Sequence, residues 1–242
     1  MGGIKYGMKK SFLVIVMTLV FGFCCAVGLC VRALHLAQTV SAIDGGGMRI
    51  VVDAGHGGID GGVVGRKTGV KESKINLDIA FRLSAVLTEM GFEVTMTRKT
   101  DAGLYGTTAP GFKKRDMQRR KEIIQDVSPL FVISVHQNYY PSQSQRGGQV
   151  FYGDTHPNGK VLASCVQSKL NDLYTEQGVK NRVESKGDFF MLRCADCPSL
   201  IVECGFLSNP QDEGLLSSAA WQEKLARGIA SGVAAYLERN AA

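Results

Sequence analysis

Two histidines and two glutamates of this chain stand where they could act on a bond. His56 leaves the apolar run Ile50-Val51-Val52 on a loop whose glycines, Gly55, Gly57 and Gly58, keep its imidazole uncrowded. Glu72 opens a helical pattern a little further on. His136 ends the run Phe131-Val132-Ile133-Ser134-Val135, and Glu203 ends Leu200-Ile201-Val202. Two imidazoles with one carboxylate form a catalytic zinc set that leaves a fourth position for water. The same donors favour zinc over softer or harder metals. A lone histidine at a strand end is more often structural; two of them converging with carboxylates shift the balance toward chemistry. These residues are too far apart in the chain to form a compact motif, so the fold must gather them.

An alternation of strand-like and helix-like patterns is what would gather them. Strands are expected at 48–53, 92–98, 130–135, 149–152, 189–192 and 199–203. Helices are expected at 73–90, 159–174 and 219–239, each with an apolar stripe at helical spacing, and a short charged helix at 116–126. Residues 99–114, rich in glycine, read as a loop. Strands apolar on both faces, separated by amphipathic helices, predict a single α/β domain over 48–240, a mainly parallel twisted sheet covered by helices on both faces. Ligands of such sheets bind beyond the carboxyl ends of the strands. His56, His136 and Glu203 all lie at such ends, and Glu72 opens the helix that leaves the same edge.

The first 47 residues read differently. A basic N-terminus (residues 1–10, with Lys5, Lys9 and Lys10) precedes 21 uncharged residues from Ser11 to Val31, then a linker over 32–47. As a helix the apolar segment would be roughly 31 Å long, enough for a hydrocarbon core of about 30 Å. The lysines would keep the N-terminus cytoplasmic and send the rest outward. A retained anchor or a cleaved signal peptide both fit, and either makes the working domain extracytoplasmic. The net charge is +6, of which this leading stretch holds half, four Lys/Arg against Asp44. The remaining surplus is compatible with an anionic envelope polymer and far too weak for nucleic acid. Of seven cysteines, Cys24, Cys25 and Cys30 fall in the apolar segment. Cys194 and Cys197 have the spacing of a redox or zinc pair, which without a second pair leaves free thiols, a disulfide and a metal all open.

The chain resembles a known family through Asp53-Ala-Gly-His56-Gly-Gly, Lys71-Glu72 with Asn76-Leu77, Thr97-Arg98, Ile133-Ser-Val-His136-Gln-Asn138 and Val202-Glu203-Cys-Gly-Phe-Leu-Ser-Asn-Pro210. These are similar to the zinc-dependent N-acetylmuramoyl-L-alanine amidases of the amidase-3 type, in order and over essentially all of 48–237. The stretch from Pro141 to Tyr152, with the membrane-length N-terminus, is most similar to the spore-cortex, germination-specific members. The resemblance implies one zinc ion held by His56, Glu72 and His136, Glu203 as the catalytic carboxylate, and peptidoglycan as substrate. It implies cleavage of the amide between muramic acid and L-alanine, for muramic-δ-lactam formation in the cortex, and leaves room for an activating protein partner. Ala54 replaces the family's usual proline, Gln125 and Leu130 its usual Asn and Asp, and Gln137 a small residue; none removes a ligand. The alternatives are a catalytically silent wall- or partner-binding module on this fold and a zinc carboxypeptidase acting within the stem peptide.

Other residues carry weaker expectations. Asp53 could orient His56 or simply end its strand. His156 reads as exposed in a turn, and Asn138 as either a substrate contact or turn chemistry. Arg119-Arg120-Lys121 reads as a solvated helix face. Tyr139-Tyr140 could line a groove or cap the core.

Overall fold

The computed structural model describes residues 47–241, with Met17 alone ahead of them. The expected basic N-terminus, the apolar helix over 11–31 and the linker up to residue 46 lie outside the described residues. No helix among the described residues is long and apolar enough to cross a membrane.

Six strands form one sheet: β1 (Arg49–Ala54), β2 (Glu93–Met96), β3 (Phe131–Asn138), β4 (Gln149–Tyr152), β5 (Ser185–Lys186) and β6 (Ser199–Phe206). Their order is β2-β1-β3-β6-β4-β5. The first four in that order are mutually parallel, whereas β4 runs antiparallel to β6 and β5 follows β4. The sheet is therefore mixed, its antiparallel edge built from the four-residue β4 and the two-residue β5. The helices are α1 (Glu72–Glu89), α2 (Phe112–Val127), α3 (Gly159–Thr175), α4 (Pro210–Leu216) and α5 (Ala219–Ala241).

Strand alternation decides what each face buries. Ile50, Val52, Ile133, Val135, Leu200 and Val202 point to one side and are fully or almost fully buried. There α1, α3 and α5 cover them through Ile79, Leu83, Leu162, Val166, Leu225 and Ile229, all buried. On the other side Val51, Val132 and Ile201 pack with Ile124 of α2 and with Met191 and Leu192. Register places Asp53 beside Ser134, and His136 beside Glu203, on this second face. The polar ends of these strands thus emerge at the rim next to α2.

β3 and β6 run on past His136 and Glu203, which lie near the strand ends and not at them. Four further elements differ from expectation. Residues 189–192 do not make a strand; Phe190–Arg193 is a 3-10 turn, with Leu192 N–H donating to Phe189 O at 3.2 Å. Only Met191 and Leu192 of that apolar run turn inward, while Phe189 and Phe190 stay exposed. The place beyond β4 is taken instead by β5, two residues too short to show a pattern. The charged helix α2 begins at Phe112 rather than 116, because Gly111 in the left-handed region turns the chain into it. Helix α4 was not expected, although Asn209 caps it, accepting from the amides of Gln211 and Asp212, with Pro210 at its first position.

Candidate metal centre

His56, Glu72 and His136 come together at the rim. One donor atom from each lies within 4.8 Å of the other two. Glu72 is the hub: its Oε1 is 2.9 Å from His136 Nδ1 and 3.3 Å from His56 Nε2. The two imidazoles meet edge to face, centroids 5.0 Å apart. Both stay partly accessible, His56 at 26% and His136 at 19% of the side chain, while Glu72 is buried.

Glu72 is held on every side. Its Oε1 also accepts from Gln137 N (3.1 Å) and Asn76 Nδ2 (3.2 Å), and its Oε2 from Val63 N (2.9 Å). Burial alone would raise its pKa. The hydrogen bonds and charges of His136 and His56 reverse this and hold the carboxyl well below the usual range, so it stays ionised. His56 sits in the left-handed region, φ 60°, a conformation costing a side-chain-bearing residue about 1–3 kcal/mol that surrounding structure must offset. Its Nδ1 meets Asp60 Oδ2 at 3.2 Å, which leaves Nε2 free on the Glu72 side. Burial lowers the His56 pKa, and the Glu72 and Asp60 carboxylates more than restore it, for a net rise.

Two glycines make the close approach possible. A Cβ on Gly55 would overlap the His136 ring, and one on Gly62, at φ +67°, would overlap Glu72 Oε2 and His56. Arg98, buried, donates to Ala54 O (2.8 Å), Gly55 O (3.0 Å) and Ser73 O (2.7 Å), tying the His56 loop to the start of α1.

Arg120 is not a solvated side chain. It is 1% exposed and reaches from α2 to Asp53 Oδ1 (2.6 Å), Asp116 Oδ2 (2.6 Å) and the carbonyls of Ala54 (2.8 Å) and His56 (2.6 Å). Its neighbours Arg119 and Lys121 remain on the outer part of the helix. Asp53 therefore neither orients the His56 ring nor merely ends a strand. Burial would raise its pKa, but Arg120, Ser134 and Thr97 bring it down to about 2. It is a buried charge that anchors Arg120, which in turn holds the His56 backbone.

Glu203 stands next to His136 across the β3–β6 ladder. Its Oε2 is buried without a hydrogen-bond partner among the described residues, and no arginine among them pairs with it. Burial, aided by the Glu72 charge and opposed by His136 and His56, pushes its pKa up to about 7. An orphaned carboxylate oxygen beside two imidazoles and an ionised glutamate fits a site built for a cation and a proton-exchanging molecule. A cavity of about 300 Å³ opens over His56 and His136, walled by Tyr105, Phe112, Phe189 and Phe190.

The remaining residues fall elsewhere. His156 is half-buried in the turn before α3, its Nδ1 accepting from Asn158 N at 3.2 Å. Asn138 Oδ1 accepts from Tyr139 N at 2.8 Å, which is turn chemistry. Tyr139 and Tyr140 are exposed. Cys165, Cys194, Cys197 and Cys204 are all free thiols, the last three buried.

Residues 50–235 match the amidase-3 family model, described as N-acetylmuramoyl-L-alanine amidase. The chain belongs to that family. Among relatives of this amidase is the germination-specific N-acetylmuramoyl-L-alanine amidase of Bacillus subtilis, 32% identical over 193 residues, covering 78% of this chain and 80% of the relative. The amidase AmiA of Escherichia coli is 29% identical over 79% of this chain and 77% of its own. The CwlD amidase of Clostridioides difficile, solved in complex with the GerS lipoprotein, superposes with a TM-score of 0.75 at 33% identity, covering 79% of this chain and 98% of that one. A peptidoglycan amidase is thus the functional class of this chain.

Proposed function

We propose that the chain is a zinc-dependent hydrolase of the amide between N-acetylmuramic acid and L-alanine, acting outside the cytoplasm on spore-cortex peptidoglycan toward muramic-δ-lactam. The observation that carries the chemistry is the cluster of His56, Glu72 and His136 beside the unpartnered Glu203 oxygen. In this reading the three residues of the cluster hold the ion, and the donor set suits zinc. Zinc, when bound, supplies Lewis acidity that polarises the scissile carbonyl and makes a bound water a better nucleophile.

The chain's own residues do the rest. Glu203 Oε2 takes a proton from the attacking water, whose oxygen forms the new bond to the lactyl carbonyl carbon. The same carboxyl returns that proton to the alanine nitrogen as the C–N bond breaks, leaving a lactyl carboxylic acid and a free amine, and the acid's remaining proton then passes to the amine to give carboxylate and ammonium. Burial raises the pKa of this carboxyl and a bound cation would lower it again, so that it is ionised to take the first proton. Asp60 keeps the His56 ring oriented, and the aromatic walls of the cavity offer apolar surface to the substrate beside the scissile bond.

The germination-specific relative supports the cortex assignment, and the lipoprotein-bound relative supports looking for an activating partner of that kind. Tethering through residues 11–31 completes the proposal, and membrane fractionation with N-terminal mass spectrometry tests it. For the reaction, purified protein is assayed for bound zinc and incubated with cortex peptidoglycan. Stem peptides freed with an N-terminal alanine support the reading. Stems shortened from their far end would replace it with a carboxypeptidase, and intact peptidoglycan with a silent binding module.

A further inference from the structure

Glu213 is a buried carboxylate that touches none of the residues discussed so far. It lies on α4, just beyond the strand of Glu203, and is 1% exposed. Its two oxygens accept four hydrogen bonds from one short segment: Lys67 N (3.1 and 3.0 Å), Thr68 N (2.6 Å) and Thr68 Oγ1 (2.6 Å).

That segment is the tip of a hairpin over 64–71, closed by the Val64–Lys71 bridge and by Gly65 N donating to Val70 O at 2.8 Å. Its base adjoins the metal cluster. Glu72 N donates to Val63 O (2.9 Å), and Val63 N donates back to Glu72 Oε2 (2.9 Å). The hairpin is clamped a second time by Arg66, which donates to Tyr139 Oη (3.0 Å) and Pro141 O (3.1 Å), just past the strand of His136. Packing at the tip is close, since a Cβ on Gly65 would come 2.5 Å from Glu213 Oε1 and 3.1 Å from Val70 Cγ1.

We propose that Glu213 is a positioning residue for the metal cluster: by clamping the hairpin tip it fixes the Val63 amide on Glu72 Oε2 and so presents Oε1 to His56 and His136. A charged acceptor facing backbone N–H groups makes strong hydrogen bonds, and few other contacts would hold a tip containing Gly65 and Gly69. Without the clamp, Glu72 loses the donor on its Oε2, one of the three that set its rotation. The inference rests on the reading of His56, Glu72 and His136 as ligands.

The test measures zinc affinity of the full chain by chelator competition, together with hydrogen exchange at the Val63 amide. Glu213→Gln keeps the shape but turns an amide group toward N–H donors. Gly65→Ala keeps the carboxylate and displaces the tip sterically, and it decides the matter if Glu213→Gln does not fold. Leu225→Ala, in the core under α5, is the control for general loss of stability. Outer-shell losses weaken metal binding roughly 10- to 100-fold, so the two hairpin variants should bind zinc about tenfold more weakly and exchange Val63 faster. Leu225→Ala should lower the melting temperature yet leave affinity within about twofold. Hairpin variants that match wild-type affinity with Val63 still protected would overturn the proposal. A wild-type protein that binds no zinc would overturn the ligand reading itself, and this inference with it.

Discussion

Replacing Glu203 by glutamine should remove a pH-dependent destabilisation from the metal-stripped protein. The carboxyl is displaced from 4.5 to about 7 in the folded state, because burial and the Glu72 charge disfavour its ionised form. A group whose folded pKa is raised stabilises fully below its unfolded pKa and loses that contribution as pH rises through the folded value. The window therefore runs from about pH 4.5 to just above pH 7. A displacement of some 2.5 units at about 1.4 kcal/mol each gives on the order of 3 kcal/mol lost across it. Glutamine does not titrate, so its intrinsic packing difference is constant and cancels when the two proteins are compared across pH. Urea unfolding in the presence of a chelator should show the variant gaining about 3 kcal/mol on the wild type between pH 4.5 and 8. In melting temperature this is roughly 6–12 °C for a domain of this size. Saturating zinc should shrink the gain at pH 8, since a nearby cation favours the carboxylate. Parallel stability curves for the two proteins would refute the assignment of Glu203 as a carboxyl whose inner oxygen, Oε2, is buried without a partner.

Further outcomes follow from the same geometry. Glu203→Gln should retain zinc while amide hydrolysis falls by about 10²–10⁴-fold, measured as release of stem peptides. Arg120→Ala strands the buried Asp53 and Asp116 charges and should cost about 3–5 kcal/mol by chemical denaturation. Gly62→Ala combines a left-handed backbone with overlap onto Glu72 and His56, so zinc affinity by chelator competition should drop at least about tenfold. Asp60→Asn frees the orientation of His56 and should weaken zinc by a similar factor, while circular dichroism stays unchanged.

The strands and long helices could be read from the chain because their signal is local. The apolar runs of β1, β3 and β6 and the stripe of Ile75, Ile79, Leu83, Val86 and Leu87 on α1 carry their own period. The rule that ligands gather beyond strand ends then suffices to place His56, His136 and Glu203 at one rim. Arg120 resisted this reading because its burial depends on Asp53, 67 residues away. A signal was available: an aspartate ending an apolar strand requires a counter-charge, and Asp116 four residues before Arg120 marks the facing side of α2. Glu213 left no comparable trace, as its partners are two backbone amides that any sequence supplies and one threonine hydroxyl 145 residues away. The turn at 190–193 was misread because four apolar residues in a row fit a strand, and only the exposure of Phe189 and Phe190 tells them apart.

The position of β6 between β3 and β4 has a consequence for how the molecule is made. The strand synthesised after all the others occupies the middle of the sheet, so β4 and β5 cannot join β1, β2 and β3 in one sheet until it arrives. A chain emerging from a ribosome or a translocation channel must therefore wait for residue 206 before its interior can close. Until then Glu203 is not beside His136, and the candidate centre is unassembled. In this amidase the rim that gathers those side chains is completed only when nearly all of the chain has been made.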